Sequence, residues 1–249
     1  MKQTRPRRSG GVFITGTDTG VGKTLVTAAL AFHFKKCGLA VGVMKPVETG
    51  VLQSNKGRSD AARLQAIVES EETLGAICPY QLELPVAPFA AAQAEGRTID
   101  PMVIRQVYRL LSDRYAYMVV EGIGGVHVPI APRIDVMDLV RRLRLPVVVI
   151  GRAGLGGINH ALLTIEALRR GKIPIIGLVL NRTQPVRSAV ARMQERSTLD
   201  RLRKQAGVPV LGPLPYEPGM PGRFRPTVIR FAKLAAIREL ARLVKKAAR

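Results

Sequence analysis

Tryptophan is absent from this 249-residue chain, and aromatic residues make up only 4% of it. With no zinc-knuckle or RNA-recognition signature either, that poverty argues against a dedicated nucleic-acid reader. Cysteine is scarce too: Cys37 and Cys78 are the only two, without metal-ligand spacing. The expectation is a pair of reduced thiols in a cytoplasmic protein. No apolar run approaches the ~20 residues needed to span a bilayer, so no membrane segment is expected. The first eight residues are basic but lack a long apolar stretch behind them, so a loose basic tail rather than a signal peptide is expected.

Acidic residues are the other shortage. The chain has 18 Asp and Glu against 39 Lys and Arg, a net charge of +21. The imbalance is lopsided. Residues 1–125 carry 15 basic and 11 acidic side chains; residues 126–249 carry 24 and 7. Such charge bears on solubility and encounter, not on fold. Either it is a solvated surface or it touches polyanions, and without readout residues nucleic acid is expected to bind at most non-specifically.

What is present is an alternation of strand and helix signals over a 47% hydrophobic chain. This suits one α/β domain over residues 11–249 behind a flexible basic tail, residues 1–10. Strands are expected at 12–15, 39–45, 117–121, 147–150, 175–180 and 208–211. Helices are expected at 23–37, 59–69, 101–114, 136–143, 159–170, 186–205 and 228–247, with Gly38 and Gly171 at helix C-termini. Near-continuous apolar strands point to a doubly wound, mainly parallel sheet with helices on both faces. Residues 82–97 predict a loop with a short helix over the site.

The most informative stretch is Val12-Phe13-Ile14-Thr15-Gly16-Thr17-Asp18-Thr19-Gly20-Val21-Gly22-Lys23-Thr24-Leu25. A buried strand, a glycine-rich turn, Lys-Thr and a helical pattern form the layout of a phosphate-binding loop. Free N–H groups and the dipole of the helix N-terminus attract the anion. Lys23 is expected to reach the terminal phosphates and the Thr24 hydroxyl to hold Mg²⁺. The first glycine falls at Gly16, one position earlier than the strict spacing, which would place it at Thr17.

Three further positions carry chemistry on their own residues. Pro46 stops the second strand's ladder, so Lys45 should emerge at the sheet's C-terminal edge, where a cation can neutralise transferring phosphate. Ser59 is a plausible N-cap, which puts Asp60 in the first turn of a helix. Glu121 follows an apolar strand, the usual place for a second metal arm in a phosphate-loop site. Thr24, Asp60 and Glu121 together suit Mg²⁺, which prefers oxygen ligands. Asn181 and Pro215, like Glu121, fall at or just beyond strand C-termini, the edge that carries ligands in such sheets.

Five motifs occur in order: GTDTGVGKT, KPVETG, SDAARLQ, EGIGG and INHALLT. Together they resemble the dethiobiotin synthetase family, over roughly residues 11–216. The resemblance implies a P-loop NTPase fold, ATP and Mg²⁺, and closure of a ureido ring on 7,8-diaminononanoate with CO2 or bicarbonate. It implies that Lys45 and Lys23 are catalytic and that Thr19, Lys45 and Thr49 contact the substrate. It places Gly20, Val21, Gly22, Lys23, Thr24, Leu25, Asp60, Glu121, Gly122 and Gly124 around the nucleotide phosphates. It assigns Asn181 to the adenine, with Arg182 beside it, and Pro215, Tyr216 and Glu217 to the other wall of the base pocket. It further implies a homodimer in which Gly156, Gly157, Ile158 and Asn159 reach across to hold the substrate's carboxylate. Ile123 stands where the family usually has Ala, and Phe89 where many members have His. His127 receives no role. Two other readings share the loop: a ParA- or MinD-like ATPase that binds DNA or an acidic surface, and an amide synthase of the cobyrinic-acid type. The first usually carries an additional early Lys, where this chain has Thr17, Asp18 and Thr19. The second usually carries a glutaminase domain, for which this chain has no room.

Overall fold

A computed structural model describes residues 9–218 and 220–247. The first eight residues of the expected basic tail lie outside the described residues, and Gly10 already belongs to a strand. In chain order the elements are β1 (Gly10–Gly16), α1 (Lys23–Lys36), β2 (Val41–Met44), β3 (Val47–Glu48), α2 (Asp60–Val68), α3 (Leu74–Ile77), β4 (Tyr80–Gln81), α4 (Pro88–Ala94) and α5 (Pro101–Ser112). Then come β5 (Tyr117–Glu121), β6 (Pro129–Ala131), β7 (Ile134–Asp135), α6 (Val136–Leu143), β8 (Val147–Arg152), α7 (Gly157–Arg170), β9 (Ile175–Asn181), α8 (Ala189–Gln205), β10 (Val210–Leu214), α9 (Phe224–Phe231) and α10 (Ala235–Ala247).

Six strands form one parallel sheet in the order β10-β9-β8-β1-β5-β2. The short pairs β3–β4 and β6–β7 stand apart from it. Alternation along β1 shows why its core reads as a continuous apolar run. Val12 and Ile14 enter the layer built on α1, α2, α9 and α10. Phe13 enters the opposite layer, with α5, α6, α7 and part of α8. All three are fully buried, because helices cover both faces of the sheet.

The ligand edge is thereby fixed. β1 lies between β8 and β5, and the chain leaves its C-terminal end at the point where the connections diverge to either side of the sheet. The loops after β1, β2, β5 and β8 converge there.

Some boundaries differ from expectation. The expected helix at 228–247 is two helices, α9 and α10, separated by a tight turn. Its apolar spacing continues through the turn, and no Gly or Pro marks the break. Gly38 takes a left-handed conformation after α1, as expected of a terminator, but Gly171 does not; Lys172 carries that turn, at φ 54°. The last strand lies at Val210–Leu214, shifted from the expected 208–211. Residues 82–97 do contain a short helix, α4.

Candidate active site

The phosphate-binding loop leaves β1 at Gly16. A Cβ there would lie 2.8 Å from both the Asp18 carbonyl oxygen and Lys23 Nζ. The position therefore demands glycine, which accounts for the displaced first glycine of the motif. Gly22 caps α1 at φ 98°. Lys23 is buried, and its ammonium donates to the Asp18 carbonyl at 2.8 Å. Burial, reinforced by nearby Lys45, lowers its pKa to about 8.

Lys45 follows β2 at the sheet edge, as its neighbour Pro46 requires. Its Nζ lies 2.6 Å from Glu121 Oε1, 3.4 Å from Asp60 Oδ2 and 3.1 Å from the Gly122 carbonyl. Burial alone would lower the Lys45 pKa; the Glu121 and Asp60 carboxylates outweigh it and hold the ammonium charged. Glu121 is fully buried and also accepts the Thr24 hydroxyl at 2.8 Å. Its second oxygen has no hydrogen-bond partner. A buried orphan carboxylate oxygen is costly unless a ligand engages it.

Ser59 caps α2 by accepting the Ala62 amide at 3.1 Å, which places Asp60 in the first turn. Thr24, Asp60 and Glu121 all line one pocket. Among the described residues there is no group of three or more His, Cys, Asp or Glu side chains fit to hold a metal. Two carboxylates and a hydroxyl still suit Mg²⁺, which takes its remaining ligands from phosphate and water. The unpartnered Glu121 oxygen agrees with that fit.

These groups line a cavity of about 620 Å³. The loop contributes Thr19, Gly20, Gly22, Lys23, Thr24 and Leu25; the β2–β3 segment contributes Lys45, Glu48 and Thr49. Asp60 and Arg63 enter from α2, Glu121, Ile123 and Gly124 from the end of β5, and Pro85, Val86, Ala87 and Pro88 from the segment leading into α4. Phe224, at the start of α9, closes one side beneath the Arg63 guanidinium, 5.3 Å from its ring centre.

Other expected residues lie elsewhere. Asn181 ends β9, and its Nδ2 donates to the Val21 carbonyl at 3.0 Å, while its Oδ1 is buried without a partner. A Cβ on Gly22 would strike that amide at 2.3 Å. Arg182 is tied to Glu195 by two bonds of 2.7 and 2.8 Å. Pro215, Tyr216 and Glu217 follow β10, with Glu217 paired to Arg230. Gly156, Gly157, Ile158 and Asn159 open α7, with Asn159 exposed, and do not line the cavity. His127 is exposed and pairs with Asp135 at 3.0 Å. Phe89 is half-buried in α4, outside the cavity lining.

A family model described as "AAA domain" matches residues 10–222. The ATP-dependent dethiobiotin synthetase of Anaeromyxobacter dehalogenans is 49% identical over 175 residues, 70% of this chain and 78% of that protein. The chain belongs to the dethiobiotin synthetase family. The synthetase of Thermodesulfovibrio yellowstonii is 40% identical over 83% of this chain and 88% of its own length. That of Methanocaldococcus jannaschii is 42% identical over 68% and 78%. Solved structures show the fold alone. A MinC:MinD cell division complex from Aquifex aeolicus gives a TM-score of 0.56 at 16% identity, covering 96% of each chain. A ParA family ATPase from Chlorobium tepidum gives 0.54 at 15%, covering 96% and 98%.

Sequence reasoning gave no role to Glu48, Arg63 or Phe224, or to the ion pair of Asp18 with Arg152 at 2.9 Å. Glu48 stood inside the KPVETG motif, a signal that something there is needed. Arg63 and Phe224 meet only through tertiary packing of α2 on α9, which no local pattern announces.

Proposed function

We propose that this chain closes the ureido ring of dethiobiotin from 7,8-diaminononanoate, CO2 and ATP in biotin biosynthesis. The observation that carries the proposal is the Lys45 ammonium, buried between Glu121 and Asp60 in a cavity continuous with the phosphate loop. In this reading one substrate amine attacks CO2 and loses a proton, giving a carbamate. A carbamate oxygen attacks the γ-phosphorus and ADP leaves. The second amine then attacks the carbonyl carbon, phosphate departs and the ring closes. No protein nucleophile is needed, so the site contributes position and charge.

Lys23 and Lys45 would neutralise the oxygens of the transferring phosphoryl group. Thr19 and Thr49, which share the cavity, would hold the carbamate through their hydroxyls. Thr24, Asp60 and Glu121 would hold Mg²⁺, which when bound offsets phosphate charge. The partnerless Asn181 Oδ1 suits the amino group of adenine, with Pro215, Tyr216 and Glu217 as the facing wall and Arg182 beside it.

We place the 156–159 segment against the substrate carboxylate of a neighbouring subunit in a homodimer. Two observations support this: the segment does not line its own chain's cavity, and Leu155 and Leu163 beside it are 75% and 56% exposed. Residues 11–249 are taken as one domain, built on a single main sheet. Among the described residues no helix is long and apolar enough to cross a membrane, and both cysteines are free, which fits a cytoplasmic enzyme.

The test is incubation with labelled bicarbonate, diaminononanoate and MgATP. Labelled dethiobiotin is expected; nucleotide binding without that product would sink the assignment. Sedimentation at assay concentration checks the dimer, and a fully active monomer would overturn the shared site.

A further inference from the structure

Glu48 ends the two-residue strand β3 and is 7% exposed. Its carboxylate reaches the N-terminus of α2, where Oε1 accepts the Asp60 amide at 2.5 Å and Oε2 the Ala61 amide at 3.0 Å. Four amides at a helix start lack intrahelical partners. Ser59 satisfies the Ala62 amide, and Glu48 satisfies the two before it. The first turn of α2 is therefore clamped from outside, by a residue twelve positions earlier in the chain.

The clamped turn is the one that carries Asp60. The Asp60 side chain lies 3.4 Å from Lys45 Nζ, and Glu48 and Lys45 come from the same short segment after β2. Burying a carboxylate is expensive unless charge-assisted bonds repay it. Here burial still pushes the Glu48 carboxyl above its ordinary range, and two backbone amides, with Lys45, offset part of that cost; both amides belong to the turn that aims the site's acid. An apolar residue would leave those amides bare, and a lysine would repel them.

We propose that Glu48 is a positioning residue. By pinning the Asp60 and Ala61 amides, it fixes the Asp60 carboxylate beside Lys45 and Glu121 and so tunes the site's use of Mg²⁺ with nucleotide. The inference rests on Asp60 facing the metal, as proposed above. Residues that orient a metal ligand alter metal affinity about 10–100-fold when changed.

The test measures binding of a fluorescent ATP analogue across a Mg²⁺ titration, using the full chain. Glu48→Gln is nearly isosteric and leaves one amide without its acceptor. It is expected to raise the Mg²⁺ concentration for half-maximal binding about tenfold, with Mg²⁺-free binding of the same variant as the reference. Hydrogen exchange at the Asp60 and Ala61 amides should quicken in parallel. Glu48→Ala should do the same more strongly, and circular dichroism checks that each variant is folded. In an Asp60→Asn background, Glu48→Gln should add nothing.

A Glu48→Gln protein with wild-type Mg²⁺ dependence overturns the proposal. So does an effect of full size in the Asp60→Asn background, which would mark a general packing role. If Asp60→Asn itself leaves Mg²⁺ dependence untouched, the metal reading of Asp60 fails and this proposal fails with it. A shift in Asp60→Asn with a silent Glu48→Gln sinks the positioning role alone.

Discussion

Two ammonium groups within one buried pocket behave differently because their neighbours differ. Lys45 sits against two carboxylates and stays charged. Lys23 has a backbone carbonyl as its hydrogen-bond partner. Replacing either by Ala should lower turnover 100-fold or more, the loss of roughly 3 kcal/mol of transition-state stabilisation. Steady-state kinetics check this, and a Lys45→Ala enzyme with near-normal kcat would remove Lys45 from the chemistry.

The lowered Lys23 pKa also has a sign that can be tested. In the free protein Lys23 loses its proton above pH about 8. Bound phosphate raises that pKa, so binding above pH 8 must take up a proton. Affinity for ATP should therefore be flat below that pH and fall by up to about tenfold per unit above it. Titration calorimetry in buffers of different ionisation enthalpy would show the proton uptake. Lys23→Met should bind more weakly and lack this slope. A wild-type affinity unchanged between pH 7.5 and 9.5 would contradict the burial argument.

At the scale of elements, the turn from β8 into α7 is crowded at one glycine and open at its neighbour. A Cβ on Gly157 would lie 2.2 Å from the Arg152 carbonyl oxygen, whereas nothing lies within 4 Å of one on Gly156. A backbone atom cannot step aside as a side chain can. With its clash against backbone, Gly157→Ala should therefore cost about 3 kcal/mol by overpacking, the upper end of the usual range. Gly156→Ala, at φ 81°, should lose only the ~1–2 kcal/mol of left-handed strain. Thermal unfolding would rank them. Under the shared-site proposal Gly157→Ala should also raise KM for the diamine more than for ATP. Equal stability of the two variants would refute the packing argument.

The same elements show what the sequence could and could not announce. β1, β5, β8 and β9 are legible because helices cover both sides, so their interiors consist almost wholly of apolar residues. The phosphate loop is legible because glycine is demanded at Gly16 and Gly22 by atoms that occupy the Cβ space. Pairs such as β3–β4 and β6–β7 are two or three residues long, too short for any period to develop. The turn between α9 and α10 carries no breaker residue, so apolar spacing alone reads as one helix. Lys45, Asp60 and Glu121 each had a local reason for their placement. Glu48 did not: its partners lie on a helix that reaches it only in the folded chain.

Across the whole molecule the charge imbalance survives pairing. Many described acids are already engaged with basic side chains, among them Glu69 with Lys35 and Arg225, Glu195 with Arg182, and Glu239 with Arg242. With 39 Lys and Arg against 18 Asp and Glu, one-to-one pairing cannot cancel the positive charge, and most of the excess is contributed by residues 126–249. Duplex DNA should bind at low salt, dissociate steeply as salt rises, and show no sequence preference. Fluorescence anisotropy with two unrelated duplexes checks this. ATP hydrolysis should be indifferent to DNA; stimulation at physiological salt would favour a partitioning-type ATPase instead.

The strand order has a consequence for how the protein comes into being. β1 and β2 are near neighbours in the chain, yet β5 lies between them in the sheet and β8 flanks β1 on its other side. A growing chain that has emerged only as far as residue 116 holds the phosphate loop and Lys45 with no strand to join them. Glu121, which binds both Thr24 and Lys45, arrives with the strand that completes the join. Parallel pairings this distant in sequence are slow to form. Refolding from denaturant should thus recover helical signal first, with nucleotide binding returning only in a later phase, once β5 and β8 have both joined β1. The arrival of function would then be the clock that marks the end of folding.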